Sequence, residues 1–204
     1  MDWAEKYRPK HLDEILGNAA AVKQMALWAQ TWTPDSAPLL LTGKPGIGKT
    51  SAALALARDM DWEVLELNAS DARTKAVIER IAGNSATTAS LFGASRKMII
   101  IDEADNLEGN ADRGGARAIA DLLKTAKQPV LLIANDAYGV SDSIRRICES
   151  VPFRAISSST LAKRMKEICA LEQISCGEDA VQEIAGSAAG DMRSAVNMLF
   201  GSAA

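Results

Sequence analysis

The sequence predicts an α/β protein: a five-stranded parallel sheet flanked by helices, followed by a smaller unit of three helices. Three observations carry that expectation. Segments rich in β-branched residues and leucine alternate with helical patterns over most of the chain, as βαβ units do. The runs MIII (Met98–Ile101) and VLLIA (Val130–Ala134) are apolar without interruption, which suits strands buried on both faces. The stretch LLLTGKPGIGKTSAAL, Leu39 to Leu54, sets apolar residues before a glycine-rich turn and an alanine-rich run after it. Gly43, four residues, then Gly48-Lys49-Thr50 is the phosphate-binding loop pattern, which requires that strand and that helix.

Taken in order, Asn18 is placed to cap a helix running to about Thr31, and Pro34 bars its continuation. Strands are expected at Pro38–Thr42, Glu63–Asn68, Lys97–Asp102, Pro129–Asn135 and Val151–Ile156. Thr50–Met60 is apolar almost all round, as a helix packed beneath a phosphate loop should be. Ser70 or Asp71 can cap a further helix with Val77, Ile78 and Ile81 on one face, and the small, polar Asn84–Ser95 reads as a loop or a frayed helix. Gly114–Thr125 carries Ile119, Leu122 and Leu123 at helical spacing. After Ile156 the serine run Ser157–Ser159 marks a hinge, and only helices follow, at Thr160–Gln173, Glu178–Ala185 and Asp191–Phe200. The domain boundary is therefore expected between residues 1–157 and 158–204.

Composition narrows the function classes. The chain has 204 residues, 48% of them apolar and only 4% aromatic, and no apolar run approaches the ~18 needed to span a bilayer. The start, MDWAEKYRPK, lacks the apolar core of a secretory signal, so a cytoplasmic location and no membrane partner are expected. Cys148, Cys169 and Cys176 read as reduced, partly buried thiols, and with His11 the single histidine a zinc site is not expected. A net charge of −3 neither demands nor excludes nucleic acid.

Glycines at 43, 46 and 48 let backbone N–H groups close around an anion at a helix N-terminus. The nucleotide-binding set is the whole loop: Gly43, Lys44, Pro45, Gly46, Ile47, Gly48, Lys49, Thr50 and Ser51. Lys49 would reach the β- and γ-phosphates of ATP, and the Thr50 hydroxyl would ligate Mg²⁺. Asp102, a carboxylate ending a buried strand, is the second metal-holding group, and Glu103 is placed to orient or deprotonate a water. Asn135 ends the neighbouring strand, where an amide can bond both a γ-phosphate and that water. Each signal alone has a plainer reading: a solvated lysine in a strand–turn–helix, an acidic helix cap, an Asn-Asp turn.

Together, WAEKYRP (Trp3–Pro9), GKPGIGKT (Gly43–Thr50), NASDAR (Asn68–Arg73), IIIDEADNLEGNADRGG (Ile99–Gly115), IANDAY (Ile133–Tyr138) and GDMRSAVN (Gly190–Asn197) resemble the clamp-loader ATPases of the AAA+ class. Within that class they are most similar to the large subunits of archaeal replication factor C. The resemblance implies a RecA-like nucleotide-binding domain over 1–157, a helical lid over 158–204, the AAA+ strand order, and an ATPase that loads a ring-shaped clamp onto DNA. It makes Asn135 the first sensor and Arg193 the second, and places Tyr7, Arg8 and Pro9 along the base. It implies replication factor C small subunits, a sliding clamp and primer-template DNA as partners, with Arg73 and Lys75 as candidate DNA contacts and Arg113 and Arg117 as weaker ones, a solvated helix face being the plainer reading of each; Leu91-Phe92, apolar within a polar loop, reads either as a clamp anchor or as core packing.

Small subunits of this family carry Ser-Arg-Cys where this chain reads Arg146-Ile147-Cys148. By that resemblance the chain receives an arginine from its neighbour without donating one, so it should bind ATP alone and hydrolyse it slowly. It stops at Gly201–Ala204, directly after the third lid helix, and is expected to be an N-terminal fragment without the family's collar. A small-molecule phosphotransferase, a non-hydrolysing scaffold and a branch-migration helicase are the rival readings.

Overall fold

The side-chain alternation along the strands decides the layering. The computed structural model describes residues 2–70, 76–77, 96–106 and 113–203. Among them β1 (Leu39–Thr42), β2 (Glu63–Asn68), β3 (Lys97–Asp102), β4 (Val130–Ala134) and β5 (Glu149–Pro152) form one sheet in the order β2-β3-β4-β1-β5, every pair parallel. Successive strand residues point to opposite faces. Leu39, Leu41, Met98, Ile100, Leu131 and Ile133 thus face a core shared with α2 (Ala19–Gln30) and α3 (Lys49–Asp59). Leu40, Ile99, Ile101, Val130 and Leu132 face the other core, shared with α4 (Arg113–Thr125) and α5 (Asp142–Arg145). Two covered faces explain why β3 and β4 read as unbroken apolar runs.

A third cluster lies among α6 (Ser158–Leu171), α7 (Glu178–Ser187) and α8 (Met192–Ala203), built on Leu161, Met165, Ile168, Val181 and Leu199. The Ser157 hydroxyl accepts the Thr160 N–H at 3.2 Å, so the start of the serine run caps α6. The short first helix α1 (Trp3–Lys6) leans on this cluster, with Trp3 edge-on to Phe200 at 5.2 Å between ring centroids. Lys6 Nζ and Tyr7 Oη both donate to Glu172, just beyond α6. A few residues later the chain is fastened to the other body, where Asp59, the last residue of α3, bonds His11 Nδ1 at 2.6 Å and the Leu12 N–H at 2.9 Å. No helix among the described residues is long and apolar enough to cross a membrane.

Three sequence expectations are corrected. The last strand begins at Glu149 and stops at Pro152, earlier at both ends than Val151–Ile156. The end of its partner is the reason for the early stop: the Phe153 N–H donates to the Thr42 carbonyl at 2.7 Å, and β1 goes no further, turning at Gly43 with φ 137°. Asn18 lies on the outer edge of the chain just past that point, its Oδ1 accepting the Arg154 N–H at 2.8 Å and its Nδ2 donating to the Arg154 carbonyl at 3.1 Å. The same contacts correct the expected cap: Asn18 precedes α2, but its side chain makes no capping bond there. The expectation of three free thiols fails for two of them. The turn after α6 folds back, bringing the Cα atoms of Cys169 and Cys176 to 6.4 Å, and the pair is a disulfide, with Cys148 left free. The loop Asn84–Ser95, most of the helix expected after Asp71, Arg73, Lys75 and Leu91-Phe92 lie outside the described residues.

Candidate functional site

Strand order and register assemble the site before any side chain is considered. β4 lies between β1 and β3, with Thr42 level with Ala134 and Ile101 level with Leu132. The loop after Thr42, Asn135 after Ala134, and Asp102 at the end of β3 therefore emerge on one carboxyl edge, about 4.8 Å apart per strand. Ligands of open parallel sheets bind at that edge, where the strand order reverses.

The loop between β1 and α3 is tight enough to require glycine. At Gly43 (φ 137°) a Cβ would lie 2.5 Å from the Phe153 carbonyl oxygen, and at Gly46 (φ 75°) it would lie 2.0 Å from Asp191 Oδ1. Asp191 also accepts the Ser194 N–H at 2.8 Å, capping α8, and the Met192 N–H donates to the Gly46 carbonyl at 3.0 Å. The third helix of the small cluster is thus bonded to the tip of the loop. Lys49 opens α3 and is buried. Its Nζ donates to the carbonyls of Gly43 and Lys44 and, at 3.2 Å, to Asn135 Oδ1. Burial strips the ammonium of hydration and lowers its pKa; the charges of Asp102, Asp105 and Asp191 oppose that shift and Arg193 adds to it.

The acidic side stands opposite. The Thr50 hydroxyl donates to Asp102 Oδ2 at 3.5 Å, while Asp102 Oδ1 accepts the Glu103 N–H at 2.7 Å. Glu103 sits at φ 56°, a conformation costing a non-glycine residue on the order of 1–3 kcal/mol. Its Oε2 accepts from the Ser70 hydroxyl at 3.4 Å and from Asn106 Nδ2 at 3.3 Å. A hydroxyl and a carboxylate converging on one point are hard oxygen donors, fit for Mg²⁺ that keeps water and phosphate as its other ligands. Among the described residues no group of three or more His, Cys, Asp or Glu could hold a metal unaided.

These groups border one cavity of about 260 Å³. It brings together Lys49, Asp102, Glu103, Asn135 and Arg193 with Thr50 and Ser51. Pro45, Gly46, Ile47 and Gly48 form the loop wall, and Tyr7, Arg8 and Pro9 line the cavity as well. Gly43 and Lys44 are outside the lining and contribute only their carbonyls to Lys49. Sequence reasoning missed the apolar wall, made by Ile15, Leu16, Ile156, Ile168, Met192 and Val196. Arg164 was missed too; it lines the cavity and lies 6.0 Å from the Tyr7 ring centroid. Met192 and Val196 lie within Gly190–Asn197 and the others belong to no local motif; as a wall they come together only when α6 and α8 pack against the sheet. Ile147 packs against the core beside α4, and the neighbouring Arg145 is held by Asp142 and stacks on Tyr138 at 5.7 Å.

A family model described as "ATPase family associated with various cellular activities (AAA)" matches residues 39–158. Curated relatives named "Replication factor C large subunit" include that of Methanocorpusculum labreanum, 80% identical over 202 residues, covering 99% of this chain and 42% of the relative. Those of Methanoregula boonei and Methanospirillum hungatei are 65% and 61% identical, each covering 100% of this chain and 42% of the relative. The chain thus spans about two-fifths of the length of these relatives. Among solved structures, the Thermotoga maritima RuvB Holliday junction branch migration motor has a TM-score of 0.73 at 21% identity, covering 95% of this chain and 64% of that one. That likeness speaks to the fold alone.

Proposed function

The chain belongs to the AAA family of ATPases, and from that premise we propose that its cavity binds ATP with Mg²⁺ and serves the ATPase step of a sliding-clamp loader. The observation that carries the reading is the convergence of Lys49, Thr50, Asp102, Glu103, Asn135 and Arg193 on one cavity from four separate stretches of sequence. A small-molecule phosphotransferase would need an acceptor pocket instead of an asparagine between loop and acid.

In this reading the backbone N–H groups of Gly46–Ser51 and the Lys49 ammonium hold the phosphates, and Thr50 and Asp102 hold the metal, which neutralises phosphate charge when bound. Glu103 orients the attacking water, its carboxylate aimed by Ser70 and Asn106. Asn135 and Arg193 contact the γ-phosphate from the sheet and from α8. Tyr7, Arg8, Pro9 and the apolar wall take the base. Residues 1–157 act as the nucleotide-binding domain and 158–204 as its lid.

The relatives' printed name supports the wider role. The chain works in the cytoplasm within a ring containing replication factor C small subunits, and ATP binding and hydrolysis place the clamp on primer-template DNA. Arg73 and Lys75 are proposed phosphate contacts; replacing both should flatten the salt dependence of DNA binding by about two counterions. With Ile147 in the finger position, the catalytic arginine comes from a neighbour, and its absence should cost the isolated chain a factor of ~10³–10⁵ in turnover.

The test is nucleotide binding and hydrolysis by the chain with and without a small-subunit partner. Binding alone with hydrolysis only on mixing, abolished by Glu103→Gln, is the expected result. Fast turnover by the chain alone would refute the divided site; stimulation by a small-molecule phosphate acceptor would refute the loader reading. No heat on adding magnesium and ATP to the native chain would remove the nucleotide itself.

A further inference from the structure

Asp105 has no part in the chemistry above, yet it is the residue on which the edge of the site is folded. Its Oδ2 accepts two consecutive backbone N–H groups, those of Asn135 and Asp136, each at 3.0 Å. Beside it the Ala104 N–H donates to the Ile133 carbonyl at 2.9 Å, continuing the β3–β4 contact past the end of the strands. The turn after β4 then wraps back so closely that a Cβ at Gly139 would lie 2.9 Å from Asp105 Cβ and 3.2 Å from its carbonyl oxygen. Asp105 Oδ1 is buried with no hydrogen-bond partner among the described residues. An orphaned buried acceptor destabilises the fold, and such groups persist where something other than stability selects them.

We propose that Asp105 is a positioning residue of the site, fixing the Asn135 main chain so that its side-chain amide is held at Lys49 Nζ. The inference rests on the reading of Asn135 as the group that meets the γ-phosphate. The geometry is short and direct. Two N–H bonds to one oxygen clamp the peptide on either side of the Asn135 carbonyl, and the amide Oδ1 stands 3.2 Å from the Lys49 ammonium. Freed from that clamp, the loop can move the amide by an ångström, a displacement that costs a reacting site about 100-fold. An asparagine at 105 retains an oxygen for the two N–H groups, whereas alanine retains nothing.

The experiment compares wild type, N135A, D105A, D105N, G139A and the D105A/N135A double variant by single-turnover hydrolysis of ATP, each mixed with a small-subunit partner, and by calorimetric binding of ADP. N135A and D105A should each lower the hydrolysis rate about 10- to 100-fold while leaving ADP affinity within about threefold. D105N should recover most of the loss. G139A, whose methyl displaces Asp105 without removing it, should lose rate several-fold. The double variant should be no slower than the slower single, because both changes act through one group. A double variant whose loss is the product of the singles overturns the proposal, as does a D105A rate within twofold of wild type, or an ADP affinity that falls in step with the rate. If D105A fails to fold, G139A decides, and a wild-type rate there overturns the proposal. A silent N135A removes the Asn135 reading and this inference together; an impaired N135A beside a silent D105A removes this inference alone.

Discussion

Gly46→Ala tests how firmly the small helical cluster is joined to the phosphate loop. The new methyl would stand 2.0 Å from Asp191 Oδ1 on a residue whose φ is 75°. Left-handed backbone costs an alanine about 1–2 kcal/mol, of which a stiffer unfolded chain returns about 0.4–1 kcal/mol. The overlap itself is relieved by turning the Asp191 carboxylate away, and the cost of turning it is the loss of its bond to Ser194 at the start of α8, about 0.5–2 kcal/mol for a lost cap. The expected net destabilisation is about 1–3 kcal/mol, or roughly 2–10 °C in melting temperature for a chain of this size. Urea denaturation and thermal melts of Gly46→Ala, Asp191→Ala and the double variant separate the two contributions. In the Asp191→Ala background the cap is already gone, so Gly46→Ala should cost only its backbone strain. An equal cost in both backgrounds would refute the claim that Asp191 and Gly46 oppose each other.

Asn18→Ala should destabilise the protein by about 1–3 kcal/mol in denaturant titration, since it orphans the Arg154 N–H and carbonyl, and Asn18→Asp, which keeps the acceptor alone, should fall between. Asp59 raises the pKa of His11 above its ordinary 6.5, so His11 contributes stability that is complete below about pH 6.5 and lost as pH climbs through the folded value. The readouts are a histidine NMR titration above 6.5 and a stability profile that falls across neutral pH in wild type and is flatter in His11→Gln. Burial pushes the Cys148 thiol up to about 12, so the folded protein should resist alkylation at pH 8. Denatured without reductant it should take one alkyl group by mass spectrometry, and three after reduction.

What the sequence disclosed and what it hid divide along one physical line. The loop Gly43–Thr50, the carboxylates after Ile101 and the amide after Ala134 were legible because each is defined by a few adjacent residues at a strand end, and burial on both faces made β3 and β4 visible as apolar runs. Asn18 was misread because an asparagine before a helix has a standard local use, while its partner Arg154 lies 136 residues away. The early end of β5 is set by its neighbour β1, which turns away after Thr42. The cysteines were misread because compartment and odd number argued for thiols, whereas the turn that joins two of them becomes visible only once α6 ends. The apolar wall of the cavity draws single residues from several elements, so no window of sequence contains it. Asp105 sat in view beside Asp102 and Glu103, but its partners are main-chain groups, which every residue has.

The chain passes between the sheet-bearing body and the helical cluster along two routes: once between Tyr7, held by Glu172, and His11, held by Asp59, and once between Arg154, held by Asn18, and Ser157 at the head of α6. A panel fixed to a frame at one point can swivel in any direction; fixed at two, it can only swing about the line through them. Arg8, Pro9 and Ile156 border the cavity and belong to those two routes, so the axis of any such swing runs along the cavity wall. The bond from Met192 to Gly46 is then the catch on the door.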